Sequence, residues 1–232
     1  MSSQIKHVII IPDGNRRWAK KHQLSVLDGH RYVAEKIFPK LITHAIEKKI
    51  AYLTFWVFSR ENWQRSQQEV DGLMKLFKNL GMSKLIDDAH QQGAKVRILG
   101  NWSDFDAEMQ ASFALAEKKT AINSKINVNI ALSYSGRDEI TRAFQKIIQT
   151  HPHLSPEHIN EELITSHLDT VGIPDPDLII RTSGEQRLSG LFPWQSIYSE
   201  LYFTTTLMPD FTEKEFDIAL AEYQKRQRRF GQ

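Results

Sequence analysis

Four short stretches of the chain concentrate side chains able to work on a phosphorylated substrate. Asp13, Gly14, Asn15, Arg16 and Arg17 form the first, and residues 59–65 (SRENWQR) the second. Residues 134–137 (YSGR) and 181–189 (RTSGEQRLS) are the third and fourth. An aspartate beside arginines can hold a metal ion and a polyanion together. Gly14 lets the backbone approach a ligand closely, and a helix beginning nearby would offer N–H groups to phosphate. A turn whose Asp and Asn satisfy the backbone explains that stretch equally well. For residues 59–65, an exposed loop with Trp63 covering the core edge is slightly the better reading. Residues 181–189 place two arginines and several hydroxyls around a glycine, which fits a diphosphate better than a single phosphate.

Such clusters need elements that bring them to one place, and the apolar pattern supplies them. Residues 8–11, 52–58, 95–99, 127–132, 178–181 and 201–203 read as strands, alternating with segments of helical period. That alternation predicts an α/β fold with a mostly parallel sheet flanked by helices. Each polar cluster directly follows a strand, so all four should converge on the carboxyl rim, where open α/β sheets bind ligands. Val70, Leu73, Met74, Phe77, Leu80 and Leu85 form an amphipathic helical stripe that suits plain core better than a pocket wall. Phe113, Leu115 and Ala116 mark a weaker helix. Ser155-Pro156 reads as a helix start and Thr212 to Glu215 as a capping box before the last helix.

The composition bounds the alternatives. The 232 residues, 41% apolar and 25% charged, suit one domain spanning 1–232. A net charge of +2 does not call for nucleic acid, and the basic tail from Arg226 is its weak and only support. The absence of cysteine excludes disulfides and thiolate chemistry and fits a reducing compartment, so a cytoplasmic location is expected. No stretch reads as a signal peptide or membrane span. The nine histidines lack metal-ligand spacing, and His151 and His153 flank Pro152 in a loop. Walker A, Rossmann glycine, zinc-protease and DDxxD patterns are absent.

PDGNRRWA, Gly29-His30, FSRENWQR, SYSGRDEI, RTSGEQRLS, PWQSIYSELYF, PDF and RRFG occur in the order found in the cis-prenyltransferases, the family of undecaprenyl diphosphate synthase. On these motifs the chain is identified as a member of that family. The resemblance implies a six-stranded, mainly parallel sheet with a hydrophobic tunnel, in a homodimer that transfers an allylic prenyl group to isopentenyl diphosphate. It implies Mg²⁺ as cofactor, with Asp13 and Glu200 as metal carboxylates, and no nucleic-acid partner. Gly14, Asn15, Arg17 and His30 resemble the cradle of the allylic diphosphate, and Arg181, Arg187 and Ser189 the isopentenyl diphosphate site. Asn62 and Arg65 match positions tied to positioning and proton removal. Trp18, Ser59, Glu61 and Trp63 fall within substrate-binding motifs, and Arg229 and Gly231 match a segment that reaches a partner subunit's site. Farnesyl diphosphate as primer, undecaprenyl diphosphate as product, and peripheral contact with the inner membrane surface for product release follow from the same resemblance.

Two departures bear on the allylic side. Arg16 stands where the family carries a small residue, and Val26 where it carries an arginine that grips the diphosphate, with Asp28 close by. We expect Arg16 to replace the missing grip. The variant first motif also resembles relatives that join short prenyl units irregularly, which leaves a short-chain or irregular coupling enzyme and a non-catalytic family subunit as alternatives.

Overall fold

The computed structural model describes residues 4–79 and 82–226, with side chains described except at 79 and 82–85. Six strands, β1 (His7–Ile11), β2 (Tyr52–Ser59), β3 (Ala94–Leu99), β4 (Ile126–Tyr134), β5 (Leu178–Arg181) and β6 (Glu200–Phe203), form one sheet. The order is β3-β4-β2-β1-β5-β6, and every neighbouring pair is parallel. β1 is buried along its whole length, as its unbroken apolar run requires of a strand covered on both faces. Val8 and Ile10 pack into one core and Ile9 and Ile11 into the other, following the period of two.

The helices are α1 (Asn15–Lys21), α2 (Val26–Tyr32), α3 (Phe38–Glu47), α4 (Gln67–Asn79), α5 (Met82–Gln92), α6 (Ala107–Thr120), α7 (Gly136–Thr150), α8 (Glu161–Thr165) and α9 (Glu213–Lys225). The single stripe expected from Val70 to Leu85 is two helices, α4 and α5; Leu80 lies outside the described residues, as does the side chain of Leu85. Ser155-Pro156 opens only a short 3₁₀ turn, Pro156–His158. The helix that follows, α8, starts at Glu161, where Asn160 accepts a hydrogen bond from the Leu163 N–H. Thr212 does precede α9, but its side chain makes no capping bond; the Glu215 carboxylate accepts from Thr206 instead.

A buried polar chain pins the sheet centre. His7 bonds the Pro174 carbonyl through Nδ1 (2.7 Å), and its Nε2 meets Thr54 Oγ1 (2.8 Å), which also accepts from Asn129 (2.9 Å). Complete burial lowers the His7 pKa to about 4 and keeps the ring neutral.

Candidate active site

The register sets the site. Ile11 lies beside Arg181, and Arg181 beside Phe203, so the segments leaving β1 and β5 emerge at one level of the rim. β2 runs on to Ser59 beside Tyr134 and forms the adjoining wall. Between them opens a cavity of about 470 Å³, with Asp13, Arg17, Asn62, Arg65 and Arg181 at its polar head.

Asp13 and Arg181 meet directly. Arg181 Nη2 donates to Asp13 Oδ2 at 2.9 Å, while Asp13 Oδ1 accepts from the Gly14 N–H at 2.7 Å. The Thr182 hydroxyl accepts from the Asp13 N–H (2.8 Å) and donates to the Asp13 carbonyl (2.7 Å), stitching the two strand ends together. Arg181 further donates to Ser189 Oγ (2.9 Å) and to the Arg187 carbonyl, and its side chain is only 7% exposed. Gly14 has φ of +101°, and a Cβ there would stand 2.8 Å from Leu207 Cδ2, so glycine is required on two counts.

The side formed by Arg16, Arg17, Asn15 and His30 is looser. Arg16 is 59% exposed and lies 3.7 Å from Glu69, which also takes Arg65 at 3.0 Å. Arg17 is 53% exposed and donates to Ser183 Oγ at 2.5 Å. Asn15 Nδ2 bonds His30 Nδ1 (3.3 Å), leaving two inaccessible atoms in the cavity lining, Asn15 Oδ1 and His30 Nε2, without partners. Burial, and then the Arg65 and Arg16 charges, lower the His30 pKa to about 4 despite the opposing Glu69. Asn62 Oδ1 accepts from the Ser59 N–H (3.0 Å), and Asn62 lines the cavity. Asp28, the nearby acid, is spent on capping α2 with Ser25 and on pairing Arg31.

Several predicted positions are not at this cavity. Trp18 is buried against Tyr32 and donates to Asp210 at 2.8 Å, a structural role in seating α1. Glu61 and Trp63 face a neighbouring open depression with Arg60 and Asp104, and Trp63 donates to Ser133 Oγ. The Arg187 guanidinium is 60% exposed and pairs with Glu185; only its carbonyl serves the site. Glu200 is level with Leu178 and Val8, roughly 10 Å of strand below Ile11, from which the Asp13 segment leaves. There it pairs with Arg226 at 2.7 Å, so within one chain it is not brought to Asp13. Arg229 and Gly231 lie outside the described residues.

The cavity also uses residues that motif reading passed over. Val33, Ala34, Phe38, Leu73, Leu76 and Phe77 make its apolar body, so the α4 stripe is core and pocket wall at once. A buried network stands behind the Ser189 loop. Glu139 accepts from Tyr134 (2.5 Å), Gln195 (3.0 Å) and the Asp169 N–H, and Arg142 forks onto Asp169. The Gly136 N–H donates to the Gly190 carbonyl, which ties α7 to that loop.

Asp13 is the sole carboxylate on the described lining, and no cluster of three metal-ligating side chains occurs among the described residues. One carboxylate beside arginines able to hold a polyanion fits Mg²⁺, which takes one or two carboxylates and completes its shell with phosphate and water.

Residues 11–231 match the family model of undecaprenyl diphosphate synthase. The chain belongs to that family. It is 41% identical, over 98% of its length and 95% of the relative's, to the ditrans,polycis-undecaprenyl-diphosphate synthase of Legionella pneumophila. It is 43% identical to an isoprenyl transferase of Agrobacterium fabrum, covering 99% of this chain and 93% of that one. The crystal structure of lavandulyl diphosphate synthase from Lavandula x intermedia, in complex with dimethylallyl diphosphate, superposes with a TM-score of 0.93 at 36% identity, covering 99% of both chains. The protein is therefore a prenyltransferase of the cis-prenyltransferase fold.

Proposed function

We propose that this prenyltransferase condenses an allylic prenyl diphosphate with isopentenyl diphosphate across the Asp13–Arg181 contact, with Mg²⁺ as cofactor. The observation that carries this is the meeting of a single carboxylate with a buried arginine at the head of an apolar cavity. The allylic diphosphate sits against Gly14, Asn15, Arg16, Arg17 and His30, whose unpartnered Nε2 supplies a buried polar group for it. Isopentenyl diphosphate sits on Arg181 and Ser189. The allylic C–O bond breaks, a C–C bond forms to the isopentenyl double bond, and a proton leaves the adjacent carbon. Bound Mg²⁺ supplies the positive charge that offsets the leaving diphosphate. Arg17 adds to that charge, Asn62 and Arg65 orient the second substrate, and the apolar walls exclude water from the cation-like centre.

A homodimer belongs to this reading on the resemblance of Arg229 and Gly231 to a segment that reaches a partner subunit's site. The names of relatives specific for (2E,6E)-farnesyl diphosphate support a farnesyl primer and an undecaprenyl product. Such a product would be released at the membrane surface by peripheral contact of a cytoplasmic enzyme; no helix among the described residues is long and apolar enough to cross a membrane. A short-chain or irregular product is the second reading, favoured by Arg16 in the first motif. Incubation with labelled isopentenyl diphosphate, Mg²⁺ and a panel of primers tests the reaction. Incorporation into an extended prenyl diphosphate is expected, and no incorporation with any primer would overturn it.

A further inference from the structure

The segment that follows β2 is held from its outer side. Its short 3₁₀ turn, Arg60–Gln64, brings Asn62 and then Arg65 to the cavity, whereas Arg60, Glu61, Trp63 and Gln64 border the neighbouring depression. On that outer side Trp63 Nε1 donates to Ser133 Oγ at 2.8 Å, and Ser133 donates on to Asp104. The Arg60 guanidinium lies 3.7 Å from Asp104 and pairs closely with Asp138. Neither Arg60 nor Asp138 is on the described lining of the cavity, yet their grip sets the direction of a turn whose other side is.

Asp138 is the better buried of the pair, 10% exposed against 45% for Arg60. Its second oxygen accepts from Arg142 Nε at 2.7 Å, and Arg142 forks onto Asp169. The Asp169 N–H donates to one oxygen of Glu139 (2.9 Å), and Gln195 Nε2 donates to the other (3.0 Å). Gln195 belongs to the connection between β5 and β6 that carries Ser189, and Pro193 of the same connection leaves no room for a side chain at Gly136, where α7 begins. A continuous chain of ion pairs and hydrogen bonds thus runs from the Asn62 wall to the Ser189 loop, through the first turn of α7.

We infer that Asp138 is a positioning residue: through Arg60 it fixes the turn that presents Asn62 and Arg65, and through Arg142 it ties that turn to the Ser189 loop. The inference rests on the prenyl-transfer reading and adds what holds the two walls at one spacing. Two substrates joined by one new bond need both walls in register, and a small misplacement of either is costly. Asparagine at this position would keep the shape but turn an N–H towards one of two guanidiniums, so one grip would be lost.

The test is steady-state kinetics of the full chain with labelled isopentenyl diphosphate, an allylic primer and saturating Mg²⁺, beside urea unfolding of each variant. Asp138→Asn and Arg60→Gln should each lower kcat by about tenfold, the scale on which misplaced groups act, and leave KM for both substrates unchanged. If the two act through one contact, the double variant is no slower than the slower single. Arg60→Lys, which keeps the charge, should retain most of the wild-type rate. Wild-type kcat in both singles, multiplied losses in the double variant, Arg60→Lys no faster than Arg60→Gln, or losses that track the unfolded fraction would each overturn the inference. Amide hydrogen exchange of the ligand-free chain gives a readout that needs no turnover. Asp138→Asn should speed exchange in peptides covering residues 59–65 and 188–195, and Arg60→Gln in the first alone; unchanged exchange in the second peptide of Asp138→Asn overturns the tie to the Ser189 loop. A wild type that extends no primer yet shows this exchange pattern would overturn prenyl transfer and leave the role of Asp138 in place.

Discussion

The two diphosphate anchors are built on different terms. Arg181 is buried and already engaged with Asp13, Ser189 and the Arg187 carbonyl, so the side proposed for isopentenyl diphosphate is set in advance. Arg16 and Arg17 are more than half exposed, and the atoms behind them, Asn15 Oδ1 and His30 Nε2, lack partners. On the proposed assignment, the isopentenyl side would hold its charge by preorganisation, while the allylic side would complete its hydrogen bonds on binding. Groups fixed in advance stabilise developing charge without reorganisation, whereas exposed arginines lose side-chain entropy when they close on a ligand.

The sharpest way to break that contrast is at the residue shared by both anchors. Asp13→Ala should lower turnover by about 10³-fold at saturating Mg²⁺, with an unchanged far-UV circular dichroism spectrum. Residual activity near wild type would mean that the carboxylate does not serve the leaving group. Arg181→Lys should lower kcat/KM for isopentenyl diphosphate by about 10²-fold, because an ammonium cannot replace a fork that meets three acceptors at once. A rise in KM for the allylic substrate alone would reverse our assignment of the two sides. Arg16→Ala should raise KM for the allylic diphosphate by about tenfold, roughly one charged hydrogen bond, and leave KM for isopentenyl diphosphate unchanged. Steady-state kinetics with each substrate varied in turn reads both arginines, and equal effects on the two KM values would erase the asymmetry.

The smallest effect is a matter of pH. His7 and His30 both have folded pKa values of about 4, below the ordinary 6.5, so the unfolded chain binds more protons between those values. Stability conferred by the neutral rings is therefore complete above about pH 6.5 and falls as pH drops towards 4. Urea unfolding should lose on the order of 1 kcal/mol per ring by pH 5.5. Pyrophosphate should raise the His30 pKa, since an anion offsets the Arg65 and Arg16 charges, and leave His7 untouched. An NMR titration in which both rings respond alike would show that His30 does not face the anion.

Sequence and structure agree most closely where physics is local. The six strands fall within two residues of the apolar runs, the largest difference being β4, which continues to Tyr134. The polar clusters do gather at one rim, because each is fixed to a strand end and parallel register puts those ends at one level. Legibility failed where a side chain's direction depends on distant packing. Trp18, Glu61 and Trp63 sit inside site motifs yet turn towards Asp210, a side depression and Ser133. Glu200 stands at the start of its strand, where Arg226 claims it. The Tyr134–Glu139–Gln195 network gave no signal, since its members are 56 residues apart at the widest hydrogen bond.

The order of residues along this chain by itself determined the parallel α/β fold, the family, and the chemistry at Asp13 and Arg181, because strand periodicity and short motifs are properties of neighbours. Only the tertiary structure decided that Arg181 is engaged in advance, that Arg16 stands beside Glu69, and that Phe38 of the cavity lining stacks on Phe55. Those three facts arise between segments distant in sequence, where packing and burial, rather than spacing, fix which groups meet.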